Sequence, residues 1–492
     1  MGWRRFLLPA IALLVVAAVV LGLVTGVVGS LGRAGLEALG ARPAPGASTL
    51  SPGALDPSAW ASPSASPTPT TAGPTVAPSA PAGLPAPVLA DPTSRPVPNP
   101  AKVAARVSGV KVADSGGYSG SVLDVGSGRV LFAHNAAKGY IPASTMKLLT
   151  SATALSLLGP EHRFATSVVS PRAGQLVLVG GGDPYLEVKP HSGDEPARAS
   201  LSTLARRTAV ALRKSGVKKV DLGYDASRFS GPSWNSTWPD SYSDVATRVS
   251  ALWVNEGRVV DRGGVIGPRV ADPAKTAAVA FAAALKKQGV AVSRVHAAKA
   301  AGSAAKVAAV SSMTLDQIVE HVLMTSDNDG AEVLLRQAAL GAGRSGTFAD
   351  GTAVVRDRLT RLGAWQPGTS VRDGSGLSRS TRVPAATLVR VLRVAGEENH
   401  PELRGLLTGL PVAGVEGSLA TKFGDDQSLA GRGVVRGKTG TLSKVHGLAG
   451  VIRTRDGALL AYAFLVNNPK NEYNATVWLQ RVTSALSTCG CR

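Results

Sequence analysis

Apolar residues are distributed unevenly along this chain of 492 residues. Residues 6–28 form a nearly continuous apolar run without charge, whereas residues 31–100 are rich in Pro, Ser, Thr and Ala. From about residue 103 onward, apolar positions recur with the spacing of strands and helices. The pattern therefore predicts an apolar N-terminal segment, a linker and a folded part.

The pattern within the folded part predicts strands at both of its ends and helices between them. The predicted strands cover residues 119–125, 129–133, 176–179, 219–222, 434–441, 444–453 and 458–467. The predicted helices cover residues 144–158, 201–215, 273–288, 314–325, 330–340 and 473–486. We therefore expect an α+β fold in which the C-terminal strands complete one antiparallel sheet flanked by helices.

The N-terminal run is long enough to cross a bilayer, which takes about 20 apolar residues. Arg4 and Arg5 precede it and predict a cytoplasmic N-terminus with an exported remainder. The length favours an uncleaved signal anchor over residues 1–30, and the alternative is a cleaved signal peptide and a secreted protein. Residues 31–100 are predicted to be a disordered or polyproline-like spacer.

The formal net charge of +20 is compatible with an anionic partner, but also with a linker that has few acidic residues. No block of Lys and Arg with interleaved aromatic residues is present, so we expect no nucleic-acid partner. The two cysteines, Cys489 and Cys491, exclude a disulfide framework through the fold, and they could either bridge or stay free. They also offer too few ligands for a metal site.

Candidate chemistry begins with a serine followed three residues later by a lysine. Four such pairs occur: Ser108–Lys111, Ser144–Lys147, Ser215–Lys218 and Ser303–Lys306. Only Ser144 begins a long apolar helix, where positions i and i+3 share one face. The positive end of the helix dipole there favours the charge that develops during acyl transfer. This pair is therefore the candidate for a nucleophile and its base.

Two further motifs follow in the chain. Ser-x-Asn occurs at Ser326 and Asn328, in a turn between two predicted helices, and again at residues 233–235 in an irregular stretch. Lys-Thr-Gly occurs once, at residues 438–440, on a predicted strand where Gly440 allows a ligand backbone to approach closely. Each motif alone is weak evidence, but the three occur in one order and each lies in a suitable element.

These three motifs resemble the signature of penicillin-binding proteins and active-site serine β-lactamases. Residues 180–184, 250–257 and 373–378 narrow the resemblance to the low-molecular-mass class C type, the D-alanyl-D-alanine carboxypeptidase/endopeptidases. The resemblance implies a penicillin-binding/serine β-lactamase-like fold with a domain inserted between the first two motifs. Since 179 residues separate Lys147 from Ser326, we place the insertion at residues 165–305 and the catalytic domain at 101–164 and 306–492.

The resemblance also implies roles in acyl transfer. Ser144 is expected to attack the D-alanyl-D-alanine peptide bond of peptidoglycan stem peptides, and β-lactams are expected to acylate it. Lys147, kept neutral by surrounding positive charge and partial burial, is expected to accept the serine proton. Ser326 is expected to relay that proton to the leaving amine. No metal or organic cofactor is expected.

The remaining motif residues are expected to bind substrate. Asn328 is assigned to the substrate backbone, Lys438 to a positive potential over the site, and Thr439 and Thr441 to the terminal carboxylate. The backbone N–H groups of Ser144 and Thr441 are assigned to the oxyanion hole. Whether the loop at residues 373–378 is a structural turn or lines the cleft is open.

Two other functions compete with this hypothesis. A serine β-lactamase would need a positioned base for deacylation, and no obvious candidate lies between Ser326 and Lys438. A non-enzymatic wall-binding module would not need the complete set of motif side chains. No arrangement of Asp and His suggests a Ser-His-Asp triad.

Overall fold

The computed structural model describes residues 97–191, 193, 196–260 and 266–491. The predicted membrane segment and nearly all of the predicted linker lie outside the described residues. Among the described residues, no helix is both long and apolar enough to cross a membrane.

The elements are numbered in chain order. The strands are β1 (Tyr118–Asp124), β2 (Val130–His134), β3 (Ala165–Ser170), β4 (Gln175–Val179), β5 (Lys219–Asp225), β6 (Arg258–Val260), β7 (Ile266–Arg269), β8 (Ala291–Ala297), β9 (Ala305–Ser311), β10 (Val435–Leu442), β11 (Val445–Arg453) and β12 (Leu459–Asn467). The α-helices are α1 (Pro100–Gly109), α2 (Lys147–Leu158), α3 (Leu201–Lys214), α4 (Pro273–Lys287), α5 (Leu315–Thr325), α6 (Asn328–Gly341), α7 (Phe348–Arg361), α8 (Ala385–Ala395), α9 (Gly405–Thr408) and α10 (Glu472–Ser487).

The first sheet joins the two ends of the folded part. Its strand order is β10-β11-β12-β1-β2, and every neighbouring pair is antiparallel. The N-terminal hairpin and the three C-terminal strands were predicted from the sequence, and so was their union in one sheet. The predicted α+β class is therefore confirmed in this part of the chain.

Both faces of the first sheet are covered, because successive side chains of a strand point to opposite sides. Along β12, Ala461, Ala463 and Leu465 pack into a core formed with α2, α5, α6 and α8. Tyr462 and Phe464 pack on the other face with α1 and α10. This arrangement explains why β12 is apolar along nearly its whole length rather than alternating.

Helix α1 was not predicted, although its start carries clear signals. Asn99 caps the helix by accepting from Ala101 N at 2.9 Å, and Pro100 occupies the first position. The Asn99 N–H also donates to the carbonyl of Cys491. Cys489 and Cys491 are bonded to each other and buried, so the question left open by the sequence is answered by a local bridge beside α1.

The second sheet contains strands from residues 165–311, in the order β8-β5-β4-β3-β9. The pairs β4–β5 and β5–β8 are parallel, whereas β3 pairs antiparallel with β4 and β9. Helices α3 and α4 pack an apolar core against one face of it. Strands β3, β8 and β9 were not predicted. The exact limits of an inserted domain stay a prediction.

The cap of α5 is Thr314 rather than one of the two serines that precede it, Ser311 and Ser312. Its side chain accepts from Gln317 N at 3.3 Å, while the Gln317 side chain accepts from Thr314 N at 3.1 Å. This reciprocal capping box satisfies two donors at once, which a serine two residues earlier cannot reach.

Candidate active site

Ser144 lies in one turn of 3-10 helix, Ala143–Met146, and α2 begins directly after it at Lys147. The sequence analysis predicted a single α-helix from Ser144, so the first turn is tighter than expected. In a 3-10 turn, side chains at i and i+3 are eclipsed, which brings this serine and lysine into line. The Lys147 Nζ atom lies 2.8 Å from Ser144 Oγ.

The Lys147 amine has two further acceptors. Nζ lies 2.8 Å from Asn328 Oδ1 and 3.0 Å from the carbonyl oxygen of Ser375. These partners come from the start of α6 and from the loop at residues 373–378. The amine is completely buried and therefore held by contacts from three separate parts of the chain.

Burial lowers the pKa of the Lys147 amine from its ordinary value of 10.5 to about 8. Partial burial was expected from the sequence, but surrounding positive charge, the other expected cause of the lowered pKa, was wrong. The charged groups that act on the Lys147 pKa are four carboxylates that raise it: Asp327, Glu332, Asp373 and Asp329. Loss of hydration therefore outweighs the attraction of these acids.

The loop at residues 373–378 is buried beneath the nucleophile. Glu332 accepts the backbone N–H groups of Gly374 at 3.0 Å and Ser375 at 2.7 Å, and burial raises the pKa of its carboxyl to about 8. Gly376 has a φ of +84°, and a Cβ there would overlap the Ala143 carbonyl. The loop is thus both a structural turn and a direct contact of Lys147.

The second motif forms the turn between α5 and α6. Ser326 ends α5 with a left-handed φ of 62°, and Asp327 caps α6 by accepting from Asp329 N at 3.0 Å and Gly330 N at 2.7 Å. The Ser326 side chain is half-buried and makes no hydrogen bond within the described part of the chain. The Asn328 amide is turned toward Lys147 by this capped turn.

The third motif lies on the edge strand β10. Lys438 is completely buried, and its Nζ donates to the carbonyl of Thr439 at 3.0 Å. Burial, together with the charge of Lys147, lowers the pKa of the Lys438 amine well below its usual range. Gly440 packs against Thr145 and the Pro142 carbonyl, so β10 lies directly beside the nucleophile turn.

A cavity of about 130 Å³ adjoins the outer part of β10. Its polar lining includes Thr439, Thr441, Lys422 and His446. His446 Nε2 lies 3.0 Å from a Glu472 carboxylate oxygen, so this histidine is already engaged. The two motif threonines therefore face a small recess that also contains a lysine.

Three carboxylates, those of Glu256, Asp327 and Asp329, each place one oxygen within 4.8 Å of the others. Arg269 pairs with Asp329, and burial raises the pKa of Glu256 to about 8 and that of Asp329 to about 6. Protons and an arginine thus relieve the repulsion in this cluster. We assign no metal to it.

Hydrogen bonds join some of the predicted site residues. Ser144, Lys147 and Asn328 form one hydrogen-bonded group. Lys438 lies on β10, and its amine donates to the carbonyl of the next residue, Thr439. Neither Glu332 nor Ser375 was predicted as a site residue from the sequence. The signals available in the sequence were a glutamate inside the apolar stretch of α6, at position 332, and the glycine-rich loop at residues 373–378.

Known proteins resemble this chain along most of its length. A profile of the D-Ala-D-Ala carboxypeptidase 3 (S13) family matches residues 111–264 and 262–484. A carboxypeptidase of Mycobacterium tuberculosis is 33% identical over 408 residues, which cover 80% of this chain and 85% of that protein. The D-alanyl-D-alanine carboxypeptidase of an Actinomadura species is 29% identical over 436 residues, which cover 70% of this chain and 77% of that protein.

The fold has a counterpart among solved structures. Penicillin binding protein 4 of Haemophilus influenzae superposes with a TM-score of 0.62 at 20% identity, over 78% of this chain and 98% of that chain. The penicillin-binding fold inferred from the motifs is thereby confirmed. This chain belongs to the D-Ala-D-Ala carboxypeptidase 3 (S13) family of serine peptidases.

Proposed function

We propose that this peptidase cleaves the D-alanyl-D-alanine bond of peptidoglycan stem peptides through an acyl-enzyme on Ser144. The observation that carries the proposal is the 2.8 Å contact between Ser144 Oγ and a fully buried lysine amine. The hydroxyl attacks the carbonyl carbon, D-alanine leaves, and water then hydrolyses the ester. Such an intermediate divides one difficult step into two easier ones.

Lys147 acts as the base in its neutral form. A neutral amine has two hydrogens and one lone pair, and the two oxygens from Asn328 and Ser375 accept both hydrogens. The lone pair is then left for the hydrogen of Ser144. Asn328 therefore orients the base, in addition to the expected contact with the substrate backbone.

The proton returns to the leaving amine through Ser326. Its half-buried hydroxyl has no partner in the described structure and is free to bridge Lys147 and the substrate nitrogen. The oxyanion of the tetrahedral intermediate lies between the N–H groups of Ser144 and Thr441. The close packing of Gly440 on the nucleophile turn supports this pairing of two distant segments.

The two buried lysines differ in what acts on their charge. Burial, and then the charge of Lys147, lowers the pKa of the Lys438 amine. A substrate carboxylate beside β10 stabilises the proton on Lys438. The neutral form of Lys147 is favoured by burial.

The terminal carboxylate binds in the cavity beside Thr439 and Thr441. Lys422 is half-buried there, and its amine has no ion pair or hydrogen bond within the described residues. It supplies the cation for the carboxylate. The substitution Lys422→Gln should raise KM about tenfold for a free-acid peptide, the value of one charge-assisted hydrogen bond. It should leave the matching C-terminal amide unaffected, and an equal change for both peptides would contradict the assignment.

The β-lactamase alternative is less well supported. Deacylation would need a carboxylate free to activate water, and Glu332 and Asp373 are each occupied by several N–H donors. We therefore expect β-lactams to act as inhibitors whose acyl-enzyme on Ser144 is hydrolysed slowly. A β-lactam complex of penicillin binding protein 4 from H. influenzae shares the fold, with a TM-score of 0.56.

One experiment separates these activities. The purified protein is labelled with a fluorescent penicillin, the decay of the label is followed, and D-alanine release from a peptide ending in D-Ala-D-Ala is measured. We expect stable label and D-alanine release, with no D-alanine release from a control peptide that ends in L-Ala-D-Ala. Rapid loss of label without D-alanine would identify a β-lactamase, and neither label nor D-alanine would exclude an enzyme of this type.

We also propose that residues 6–28 anchor the protein in the cell membrane, with the catalytic part outside the cytoplasm. The length of the apolar run and the preceding arginines support this topology. Membrane fractionation of the full chain and of a variant lacking residues 1–30 tests it. Recovery of a chain shortened at its N-terminus in the soluble extracellular fraction would instead support cleavage of a signal peptide.

A further inference from the structure

The turn that carries Ser326 and Asn328 is held from outside by the segment between β4 and β7. Asn328 Nδ2 donates to the Val245 carbonyl at 3.0 Å, and the hydroxyl of Tyr185 donates to Asp327 Oδ2 at 2.7 Å. The second sheet itself carries none of the motif residues. Its connecting loops nevertheless reach the second motif.

Tyr185 completes the hydrogen bonding of the Asp327 carboxylate. Oδ1 accepts the N–H of Asp329, whereas Oδ2 accepts both the N–H of Gly330 and the Tyr185 hydroxyl. A Cβ atom at Gly330 would overlap Asp327 Oδ2 and the Tyr185 hydroxyl oxygen. The hydroxyl is therefore tightly packed against the start of α6. Without the hydroxyl, the carboxylate would keep only the donors of its own turn.

The ring of Tyr185 is fixed by its surroundings. It is 2% exposed, its centroid lies 4.6 Å from that of His321 in an edge contact, and the Arg198 guanidinium lies 5.2 Å above it. Burial and the nearby Asp327 raise the pKa of the Tyr185 hydroxyl well above its usual range. The hydroxyl therefore stays a donor over the working pH of an enzyme.

The left-handed backbone of Ser326 needs such support. A non-glycine residue at a φ of 62° is strained and persists only where its surroundings hold it. We infer that Tyr185 is a positioning residue, whose bond to Asp327 keeps Ser326 and Asn328 in the geometry for proton transfer at Ser144. This inference rests on the proposed function of Ser144.

The test compares Tyr185→Phe with the wild type in saturation kinetics with a fluorescent penicillin. These kinetics separate the dissociation constant of the initial complex from the rate constant of acylation. We expect the acylation rate constant to fall about tenfold, as for one lost hydrogen bond to a charged group, and the dissociation constant to stay within about twofold. Tyr224→Phe, on β5, is the matched control and should match the wild type.

A double-mutant cycle with Asp327→Asn then tests the route of the effect. If the hydroxyl acts through Asp327, the double variant should be no slower than the slower single variant. Additive losses, or an unchanged acylation rate in folded Tyr185→Phe, would overturn the inference. If Tyr185→Phe does not fold, Asp327→Asn alone must show the same loss of rate at constant affinity. Failure of the wild type to become labelled would instead reject the proposed function.

Discussion

The cores beside the two sheets of this molecule contain different kinds of side chain. Around α2 and α6, beside the first sheet, several ionisable side chains are completely or almost completely buried, among them Lys147, Glu332, Asp373 and Lys438. The core of the second sheet is formed by apolar side chains such as Leu222 and Phe281. One region therefore buries lysines and carboxylates around Ser144, whereas the core between the second sheet and its two helices is apolar.

The difference shows what each region is built for. In the first region, burial raises the pKa of the acids and lowers the pKa of the lysines, because nearby charges and hydrogen bonds do not fully replace the lost hydration. The lowered pKa makes Lys147 available as a base. The second region gains stability from apolar burial and affects the site only through its loops. Variants in the first region should therefore change rate, and variants in the second should change stability.

The largest effect is expected for Lys147→Met. Methionine fills a similar apolar volume but cannot accept the proton of Ser144, so the rate constant of acylation by penicillin should fall by roughly 10²–10⁴-fold. Lys306→Met is the matched control, because Lys306 belongs to another Ser-x-x-Lys pair and is exposed on β9. An acylation rate of the Lys147 variant near that of the control would contradict the role of base.

A smaller effect is expected from pH. The base must be neutral, and the pKa of Lys147 is lowered to about 8, so the second-order rate constant of acylation should rise as pH increases toward 8. Below that value it should change by about tenfold per pH unit, and above it the rate should level off. A rate that falls between pH 6 and pH 8 would show that the protonated amine is the active form.

The smallest effect on rate is expected in the second sheet. Phe281→Ala should lower the free energy of unfolding by about 3–5 kcal/mol, because it leaves a cavity in a fully buried core. Acylation by the folded variant should stay within about twofold of the wild type. Denaturant unfolding and penicillin kinetics on the same sample measure both. A large loss of rate without loss of stability would erase the contrast between the two regions.

The sequence contained enough to predict the first sheet. Strands β11 and β12 are largely apolar runs with a clear turn between them, and α10 follows as an amphipathic helix. Strands β8 and β9 were missed because alanine and serine separate their valines, and because few of their side chains are fully buried at the two edges of the sheet. Pairing with neighbours, rather than local preference, makes them strands.

The motif residues of the candidate site could be found in the sequence, but the burial and the contacts around them could not be predicted from it. Ser144 and Lys147 are three positions apart, and helix geometry alone relates them. The contact of Lys147 with Ser375 joins residues 228 positions apart, and that of Tyr185 with Asp327 joins residues 142 apart. Such contacts depend on the packing of the whole chain, which is also why the cause of the lowered Lys147 pKa was misjudged.

The central claim is that Ser144 is the nucleophile, and mass spectrometry of the penicillin-treated protein tests it most directly. We expect one adduct per chain, located by peptide mapping on Ser144, and none in Ser144→Ala. The variant should keep its fold, because it loses a single hydroxyl whose hydrogen-bond partner in the described structure is Lys147. An adduct on another residue, or stoichiometric labelling of Ser144→Ala, would contradict the account.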